Sequence, residues 1–335
     1  MNKIICIGSA CKDMFFPTRE GVVTETPEDL MSQKKITFEL GAKYKIEKRY
    51  EALGGVAANV ASGLAKLGLQ AACYSNTGDD YISNWTKEQL KKNSVDISLI
   101  TSSPNTSGDF SAIIVDKNSA ERVIFTNQPA NSKLEIYPEK LKNSEWLLLG
   151  DLHGDWEADL DKIIVAAKEN NIKVAMNPRQ VNIHDNPQKV LEIIAKCNNI
   201  FLNKDEAMEV LNASREKYSP EDLNNESFLI KKILESGPEV VAITDGVRGA
   251  WAGKRDKIFH TEIIKVNAVE TTGAGDAFCS GFMAAYLKDK ELEECLKWGI
   301  ANSCKSVECY GSIDGLLDEN EIVKLAGDII VEEIN

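Results

Sequence analysis

The chain has 335 residues, of which 43% are hydrophobic and 27% are charged, so a mainly disordered or fibrous protein is excluded. It carries 39 Lys and Arg against 52 Asp and Glu, which gives a net charge of −13 at pH 7. This surplus of negative charge argues against binding of nucleic acid or anionic membranes through a broad basic surface. It is compatible with one small anion at a focused site.

No apolar run approaches the ~18 residues of a membrane-spanning helix, and the apolar run 4–7 is too short for a secretory leader. We therefore expect a cytoplasmic protein. The eight cysteines include no Cys-x-x-Cys pair, which predicts reduced, mostly buried thiols. The three histidines are too widely spaced to build a local zinc site.

Short apolar runs rich in β-branched residues alternate with longer helical patterns along most of the chain. This alternation predicts an α/β fold in which a parallel sheet lies between helices on both faces. The predicted strands span residues 4–8, 71–75, 146–150, 173–177, 200–203 and 240–244. The predicted helices span residues 56–67, 80–93, 156–170, 187–197, 204–212, 221–235, 275–288, 291–309 and 319–329.

Two stretches interrupt the alternation and predict a small β-rich lid. Residues 110–115 and 122–126 are predicted to form a hairpin, and residues 14–53 carry extended pieces without helical periodicity. A lid built from about 14–53 and 108–126 would lie over the carboxyl edge of the sheet. Because no repeat or linker divides the sequence, the whole chain, residues 1–335, is predicted to be a single domain.

The sharpest motif is Thr-Thr-Gly-Ala-Gly-Asp, in which small residues open a predicted helix. A helix start with little side-chain cover exposes unpaired backbone N–H groups, and the helix dipole adds partial positive charge there. Gly273, Ala274 and Gly275 therefore predict an anion-binding site. Asp276 lies in the first turn, where it serves either the chemistry or only the helix cap.

Other nucleotide-binding motifs are absent from the sequence. A Walker A loop needs Gly-Lys followed by Ser or Thr, but Gly253 and Lys254 precede Arg255. The dinucleotide fingerprint fails because Phe278 stands where its last glycine belongs. These absences disfavour a P-loop enzyme and a Rossmann oxidoreductase.

A second glycine motif, Gly54 and Gly55, precedes the predicted helix 56–67. Paired glycines allow a ligand to approach the backbone closely, and Asn59 is placed to bind a hydroxyl group one turn later. The alternative is that the glycines only form a tight turn.

Together the two motifs resemble the two signatures of the ribokinase-like (PfkB) family of carbohydrate and nucleoside kinases. The resemblance covers nearly the whole chain and implies a ribokinase-like three-layer α/β/α fold, with a mostly parallel central sheet and a small β-rich lid. It includes residues 8–13, residues 78–80, the N-x-x-E motif from Asn203 to Glu206, residues 244–249 and Asn302.

The resemblance implies an ATP-dependent kinase that transfers the γ-phosphoryl group to a hydroxyl of a small substrate, most simply a sugar. Asp276 would accept the hydroxyl proton, and the amides of Gly273, Ala274 and Gly275 would stabilise the transferred group. The resemblance also implies the other site residues. Mg²⁺ would be organised through water by Asn203 and Glu206. The nucleotide would be bound by Thr244, Gly246, Gly249, Asn203 and Asn302. The substrate would be bound by Asp13, Gly54, Gly55 and Asn59.

One position departs from the family pattern. Glu270 begins the second signature, where the family usually has Asp, beside an implied monovalent-cation site. The longer side chain leaves potassium activation an open question. The resemblance also implies a homodimer joined through the lids.

Two alternative functions and the roles of several residues remain open at this stage. A nucleoside kinase is favoured by the long segment between Asp13 and Gly54, which leaves room for an enlarged lid. A non-catalytic sensor of sugars or nucleotides would keep the fold without the chemistry. Asn177 and Arg179 end a predicted strand near the active edge, where Arg179 either meets a phosphate or has a surface or capping role. Asp151, His153 and Asp155 alternate at the end of another predicted strand, where they contact substrate, bind a metal, or are scattered by a turn at Gly150 or Gly154 and do neither. The aromatic residues that could stack on a base are Phe15, Phe16, Phe38 and Tyr44.

Overall fold

The computed structural model describes residues 4–26, 34–214 and 216–334. The strands are β1 (Ile4–Ile7), β2 (Cys11–Thr18), β3 (Val22–Glu25), β4 (Lys34–Thr37), β5 (Tyr50–Gly54), β6 (Ala71–Tyr74), β7 (Asn76–Thr77), β8 (Thr101–Ser102), β9 (Phe110–Asp116), β10 (Arg122–Asn127), β11 (Trp146–Leu149), β12 (Lys173–Met176), β13 (Asn199–Asn203), β14 (Val240–Thr244), β15 (Ala250–Lys254), β16 (Lys257–Thr261) and β17 (Glu332–Ile334). The helices are α1 (Val56–Lys66), α2 (Tyr81–Lys92), α3 (Trp156–Glu169), α4 (Gln180–Asp185), α5 (Pro187–Ile194), α6 (Lys204–Asn212), α7 (Pro220–Leu223), α8 (Glu226–Ser236), α9 (Ala274–Leu287), α10 (Leu292–Ser306) and α11 (Glu319–Ala326).

Within the described ranges, the largest sheet has nine strands in the order β17-β16-β15-β14-β13-β12-β11-β1-β6. The six strands from β14 to β6 are parallel, as the sequence predicts. Strands β15, β16 and β17 extend the sheet in antiparallel fashion and were not predicted. The α/β fold with a mostly parallel sheet is therefore confirmed.

Helices cover both faces of this sheet, and the strand residues alternate between the two cores. Ile4 and Cys6 pack on the side of α1, α9, α10 and α11. Ile5 and Ile7 pack on the side of α3, α5, α6 and α8. Because successive side chains of a strand point to opposite faces, a fully apolar strand requires helices on both sides.

Helices α9 and α10 pack closely against each other because each carries a glycine where the two helices meet. A Cβ at Gly281 would lie 2.5 Å from the carbonyl oxygen of Trp298, and one at Gly299 would lie 2.7 Å from the ring of Phe278. Phe278 and Phe282 are buried on the facing side of α9. Burial of one such side chain stabilises the fold by roughly 1.5–3 kcal/mol.

A second, four-stranded sheet with the order β10-β9-β2-β5 is here called the small sheet. In its register Asp13 lies opposite Ser111, and Ser111 lies opposite Thr126, so these three side chains share one face. The strands β3 and β4 form a separate ribbon. The small sheet begins at Cys11 and ends at Asn127, slightly beyond the predicted lid segments. Treating the whole chain as a single domain with this lid stays a prediction.

Other details of the secondary structure differ from the prediction. The helix predicted at 221–235 is divided into α7 and α8, because Asn225 caps α8 by accepting a hydrogen bond from the amide of Phe228 at 3.1 Å. The short helix α4 was not predicted. The eight cysteines are free thiols, as expected. None of the helices in the described ranges is long and apolar enough to cross a membrane.

Candidate active site

A cavity of about 720 Å³ lies between the small sheet and the carboxyl ends of β1, β11, β12, β13 and β14. Ligands bind at this edge in open α/β sheets, because the loops that follow parallel strands converge there. The cavity brings together most of the residues singled out from the sequence. These are Asp13, Gly55, Asn59, Asn203, Glu206, Thr244, Gly273, Gly275 and Asp276.

Asp276 lies in the first turn of α9 with its side chain nearly buried at the cavity wall. Its carboxylate accepts a hydrogen bond of 2.8 Å from the side-chain amide of Asn59 on α1. The carboxylate thus bonds across to another helix and faces the cavity. This arrangement favours the chemical role of Asp276 over a cap of its own helix.

Burial raises the pKa of Asp276, and the nearby carboxylate of Asp151 raises it further. The guanidinium of Arg179 and the hydrogen bond from Asn59 act in the opposite direction, and the net pKa lies above that of an ordinary aspartate. A carboxylate with a raised pKa is a stronger base for an alcohol proton.

The backbone before Asp276 offers unpaired donors to the cavity. Gly273 caps α9 in the left-handed conformation, with φ of 77°, and a Cβ there would overlap with Ser312. The amides of Gly273 and Gly275 have no backbone acceptor among the described residues. The amide of Ala274 donates to the carbonyl of Thr271 at 3.3 Å, and Ala274 does not line the cavity. The amides of Gly273 and Gly275 are therefore the free donors of the predicted anion-binding site, whereas the amide of Ala274 is already paired.

Asn203 and Glu206 form a capping box at the start of α6. The side-chain oxygen of Asn203 accepts from the amide of Glu206 at 2.8 Å, and Glu206 accepts from the amide of Asn203 at 2.9 Å. Burial raises the pKa of Glu206 to about 7. No group of three or more His, Cys, Asp and Glu suited to a metal occurs in the described ranges. This donor set fits a Mg²⁺ held mainly by phosphate oxygens and water, with one protein carboxylate nearby.

The residues predicted to bind the substrate surround Asp13. Its carboxylate accepts from the thiol of Cys11 at 3.2 Å and from the hydroxyl of Ser111, and burial raises its pKa. Gly54 does not line the cavity; a Cβ there would overlap with the Asp13 carboxylate, so Gly54 makes room for it. Gly55 caps α1 with φ of 92°, where a Cβ would lie 2.5 Å from the carbonyl oxygen of Ser9.

Comparison with known proteins decides the family. A sequence model of the pfkB family of carbohydrate kinases matches residues 1–319. The chain belongs to this family. As a pfkB kinase it is a phosphotransferase with an alcohol group as acceptor, so the predicted family and enzyme class are confirmed.

Relatives of this pfkB kinase include nucleoside and sugar kinases. It is 28% identical over 325 residues to a nucleoside kinase of Methanocaldococcus jannaschii, covering 97% of this chain and 96% of the relative. It is 28% identical over 293 residues to a ribokinase of Haemophilus influenzae, covering 85% and 89% of the two chains.

Solved structures confirm the ribokinase-like fold of the pfkB kinase. The crystal structure of the Methanocaldococcus jannaschii nucleoside kinase matches with a TM-score of 0.74 and 27% identity, covering 98% of each chain. Arabidopsis thaliana ribokinase, solved with ribose and ATP, matches with a TM-score of 0.77 and 20% identity, covering 97% of this chain and 99% of that one.

Three residues predicted to bind the nucleotide in this pfkB kinase do not line the cavity. Asn302 is fully buried: its amide donates to the carbonyl of Ala277 at 3.0 Å, and its oxygen accepts from the amide of Leu317 at 2.9 Å. These bonds brace the interior between α9, α10 and the segment before α11, and a nucleotide contact of Asn302 stays a prediction. Gly246 has open space around it, and Gly249 turns the chain from β14 into β15 with φ of 94°.

Arg179 is a site residue that the sequence left undecided between phosphate and surface. It follows β12 and lines the cavity of the kinase. Arg179 is exposed to solvent through the cavity. The protein packed around its guanidinium acts to lower its pKa, but the carboxylates of Asp276 and Asp151 raise it overall. The guanidinium lines the same cavity as the unpaired amides of α9 and adds positive charge there.

Asp151 also lines the cavity, but its carboxylate is committed to Ser9. It accepts from the Ser9 hydroxyl at 2.7 and 2.6 Å and from the Ser9 amide at 3.1 Å. The Ser9 hydroxyl in turn accepts from the amide of Val56 at 3.2 Å, at the start of α1. Asp151 therefore fixes the loop that positions α1. Burial acts to raise the pKa of Asp151, but His153, Arg179 and Ser9 lower it overall.

Proposed function

We propose that this pfkB kinase transfers the γ-phosphoryl group of ATP to a hydroxyl of a neutral sugar, with Asp276 as the base. One observation carries the proposal: the Asp276 carboxylate and the free amides of Gly273 and Gly275 face the same cavity at the start of α9. A base beside an anion-binding turn is what transfer of a phosphoryl group to an alcohol needs. The ATP in the Arabidopsis thaliana ribokinase complex supports ATP as the donor.

The proposed step forms one bond and breaks another. The hydroxyl oxygen attacks the γ-phosphorus, the bond to the β,γ-bridging oxygen breaks, and the hydroxyl proton passes to Asp276. The transition state is loose, so alignment and charge stabilisation do most of the work. The amides of Gly273 and Gly275 and the guanidinium of Arg179 supply that stabilisation.

The nucleotide half of the cavity contains the carboxyl ends of β13 and β14. Thr244 ends β14 and lines the cavity. Asn203 and Glu206 stand beside it at the start of α6. Mg²⁺, when bound there with the triphosphate, would neutralise part of its charge. Glu206 and Asn203 would hold that ion through water, because the side-chain oxygens of both residues already accept hydrogen bonds in the capping box.

The charges of the acceptor half favour a neutral substrate. Asp13 and Asp151 place two carboxylates there. Because the guanidinium of Arg179 is assigned to the transferred phosphoryl group, it is not available to pair with the charge of an acidic sugar. A sugar acid or sugar phosphate would be repelled, whereas the oxygens of Asp13 and Asn59 are suited to accept hydrogen bonds from hydroxyl groups.

A nucleoside is the second candidate, favoured by the similarity to the Methanocaldococcus jannaschii nucleoside kinase over 97% of this chain. The predicted stacking residues do not support it. Phe15 is fully buried beside Tyr310, and Phe38 packs against Tyr44 at 5.2 Å between centroids. Neither these residues nor Phe16 line the cavity. The apolar side chains that the small sheet contributes to the cavity lining, Ile113 and Ile124, are aliphatic; the aromatic residues of the lining, Phe201 and Phe278, lie on β13 and α9.

The substitution Asp276→Asn tests the proposed chemistry. It keeps the shape and removes the base, so we expect kcat to fall by at least ~10²-fold while ATP binding is retained. Asp256→Asn is the matched control, because Asp256 is exposed in the turn between β15 and β16. Full activity of Asp276→Asn would refute the assignment of the base.

A panel of acceptors distinguishes the substrate classes. ATP consumption is measured with pentoses, hexoses, sugar acids, sugar phosphates and nucleosides. We expect turnover with a neutral sugar and little with the anionic compounds. Faster turnover with nucleosides selects the second candidate, and ATP binding without turnover by any acceptor would indicate a sensor.

Two further expectations belong to this proposal. A homodimer through the small sheet is supported by its edge strand β10, whose outer face exposes Val123 and Phe125 by 38% and 63%. An elution mass near that of one chain would contradict it. A monovalent cation beside Glu270 stays a prediction.

A further inference from the structure

Arg122 connects the small sheet to the loop that leads into α9. It is the first residue of β10, yet its guanidinium donates to the hydroxyl of Thr271 at 2.7 Å. Its Nε also lies 3.5 Å from the carboxylate of Glu270. One side chain of the small sheet therefore holds two successive residues of the loop that precedes Gly273.

The carboxylate of Glu270 makes this connection costly to break. Its side chain is 1% exposed, against 30% for Arg122. One oxygen accepts from the amide of Thr272 at 2.5 Å, and the other has no hydrogen-bond partner. A buried carboxylate that loses its countercharge is strongly destabilised, so the loop would shift if Arg122 moved away.

The loop held by Arg122 determines where the anion-binding amides point. Thr271 and Thr272 line the cavity directly before the cap residue Gly273. Groups that stabilise a transition state must be held to within about 0.5 Å of their productive position. A contact that fixes Thr271 therefore influences the amides of Gly273 and Gly275 without touching the reacting atoms.

The same sheet carries the residues that face the acceptor. Asp13 on β2 pairs with Ser111 on β9, and β9 pairs with β10, where Arg122 lies opposite Val115. Hydrogen bonds between the strands join these side chains in one body. A movement of the small sheet toward a bound acceptor would carry Arg122 with it.

We propose that Arg122 is a positioning residue that makes the α9 loop competent for transfer when the small sheet is seated over the acceptor. The inference rests on the proposed role of that loop in phosphoryl transfer. Its consequence is that Arg122 favours transfer to the acceptor over transfer to water, because amides held in position stabilise the transition state.

The experiment compares Arg122→Ala, Arg122→Lys and Thr271→Val with wild type. Each is measured for kcat, for KM of ATP and acceptor, and for the ratio of ATP consumed with and without acceptor. The acceptor is D-ribose or inosine, whichever the wild type turns over faster. Arg19→Ala is the control, because Arg19 follows β2 and its guanidinium donates to Asn118 on an exposed turn.

We expect Arg122→Ala to lower kcat by ~10- to 100-fold, as a small misplacement of reacting groups does. KM for ATP stays near the wild-type value, and the stimulation by acceptor falls. Arg122→Lys restores part of kcat because it keeps the charge, and combining Arg122→Ala with Thr271→Val adds little to the single change.

Equal kcat and equal acceptor stimulation in Arg122→Ala and Arg19→Ala would overturn the inference. If Arg122→Ala does not fold, Thr271→Val decides. This change keeps the side-chain volume and the Arg122 guanidinium but removes the Thr271 hydroxyl that accepts its hydrogen bond. Unchanged stimulation of ATP consumption by the acceptor in Thr271→Val would then overturn the inference. A wild-type protein that phosphorylates neither compound, nor any other acceptor in the panel, refutes the proposed function itself.

Discussion

The side-chain amide of Asn59 donates a 2.8 Å hydrogen bond to the carboxylate of Asp276, although the two residues lie 217 positions apart. The bond joins the start of α1 to the start of α9. The side-chain oxygen of Asn59 is buried without a partner at the cavity wall. Asn59 therefore orients the proposed base with one atom and offers an acceptor to a substrate hydroxyl with another.

Asn59→Asp tests this connection through the pH dependence of the reaction. The change replaces the donated hydrogen bond with a second carboxylate, so the pKa of Asp276, already raised by burial, rises further. Because a base must be deprotonated, activity is lost as pH falls through this pKa. We expect the acid limb of kcat/KM to move to higher pH by about one unit or more. Asn118→Asp adds the same charge on an exposed turn and should leave the limb in place.

Arg179 provides a second test at the same carboxylate. Since its guanidinium lowers the pKa of Asp276, Arg179→Met should move the acid limb upward. It should also lower kcat by about 10- to 100-fold, the effect of losing one charge-assisted hydrogen bond to the phosphoryl group. Arg179→Lys keeps the charge but not the planar fork, so an intermediate kcat is expected. A surface role would leave both kcat and the pH profile of Arg179→Met unchanged.

Several parts of the site could be predicted because each has a local signature. A glycine-rich turn before a helix predicts an anion site wherever it occurs, and Gly273 and Gly275 meet that description. Arg179 and Asp151 have no such signature. A single charged residue after a strand acquires its role from side chains brought beside it by the fold, here Asp276 for Arg179 and Ser9 for Asp151.

The same reasoning explains the parts of the fold that sequence analysis missed. Strands β15 and β16 are joined by a tight turn in which Arg255 has φ of 57°. Asn-Gly or Asp-Gly is the usual signal for such a turn, and Arg255 gives none. β17 is a three-residue edge strand with exposed Glu332 and Glu333, which resemble an ordinary solvated end.

Gly54→Ala tests the position of Asp13. The added Cβ would overlap with the Asp13 carboxylate, so that side chain must move. We expect KM for the acceptor to rise about tenfold or more, the equivalent of one lost charge-assisted hydrogen bond, with KM for ATP unchanged. Gly327→Ala is the control, because a Cβ there meets its nearest atom at an ordinary 3.4 Å. An unchanged acceptor KM in Gly54→Ala would show that Asp13 does not bind the acceptor.

Asn302→Ala distinguishes a structural brace from a nucleotide contact. The change leaves the buried amide of Leu317 without its acceptor and removes one of the hydrogen bonds to the carbonyl of Ala277. We expect the free energy of unfolding to fall by at least about 1–3 kcal/mol, the cost of one buried group left unsatisfied, while KM for ATP stays the same. Denaturant unfolding and steady-state kinetics on the same preparation measure both quantities, with Asn212→Ala at the exposed end of α6 as the control. The opposite pattern, unchanged stability with a raised KM for ATP, would restore Asn302 to the nucleotide site implied by the family resemblance.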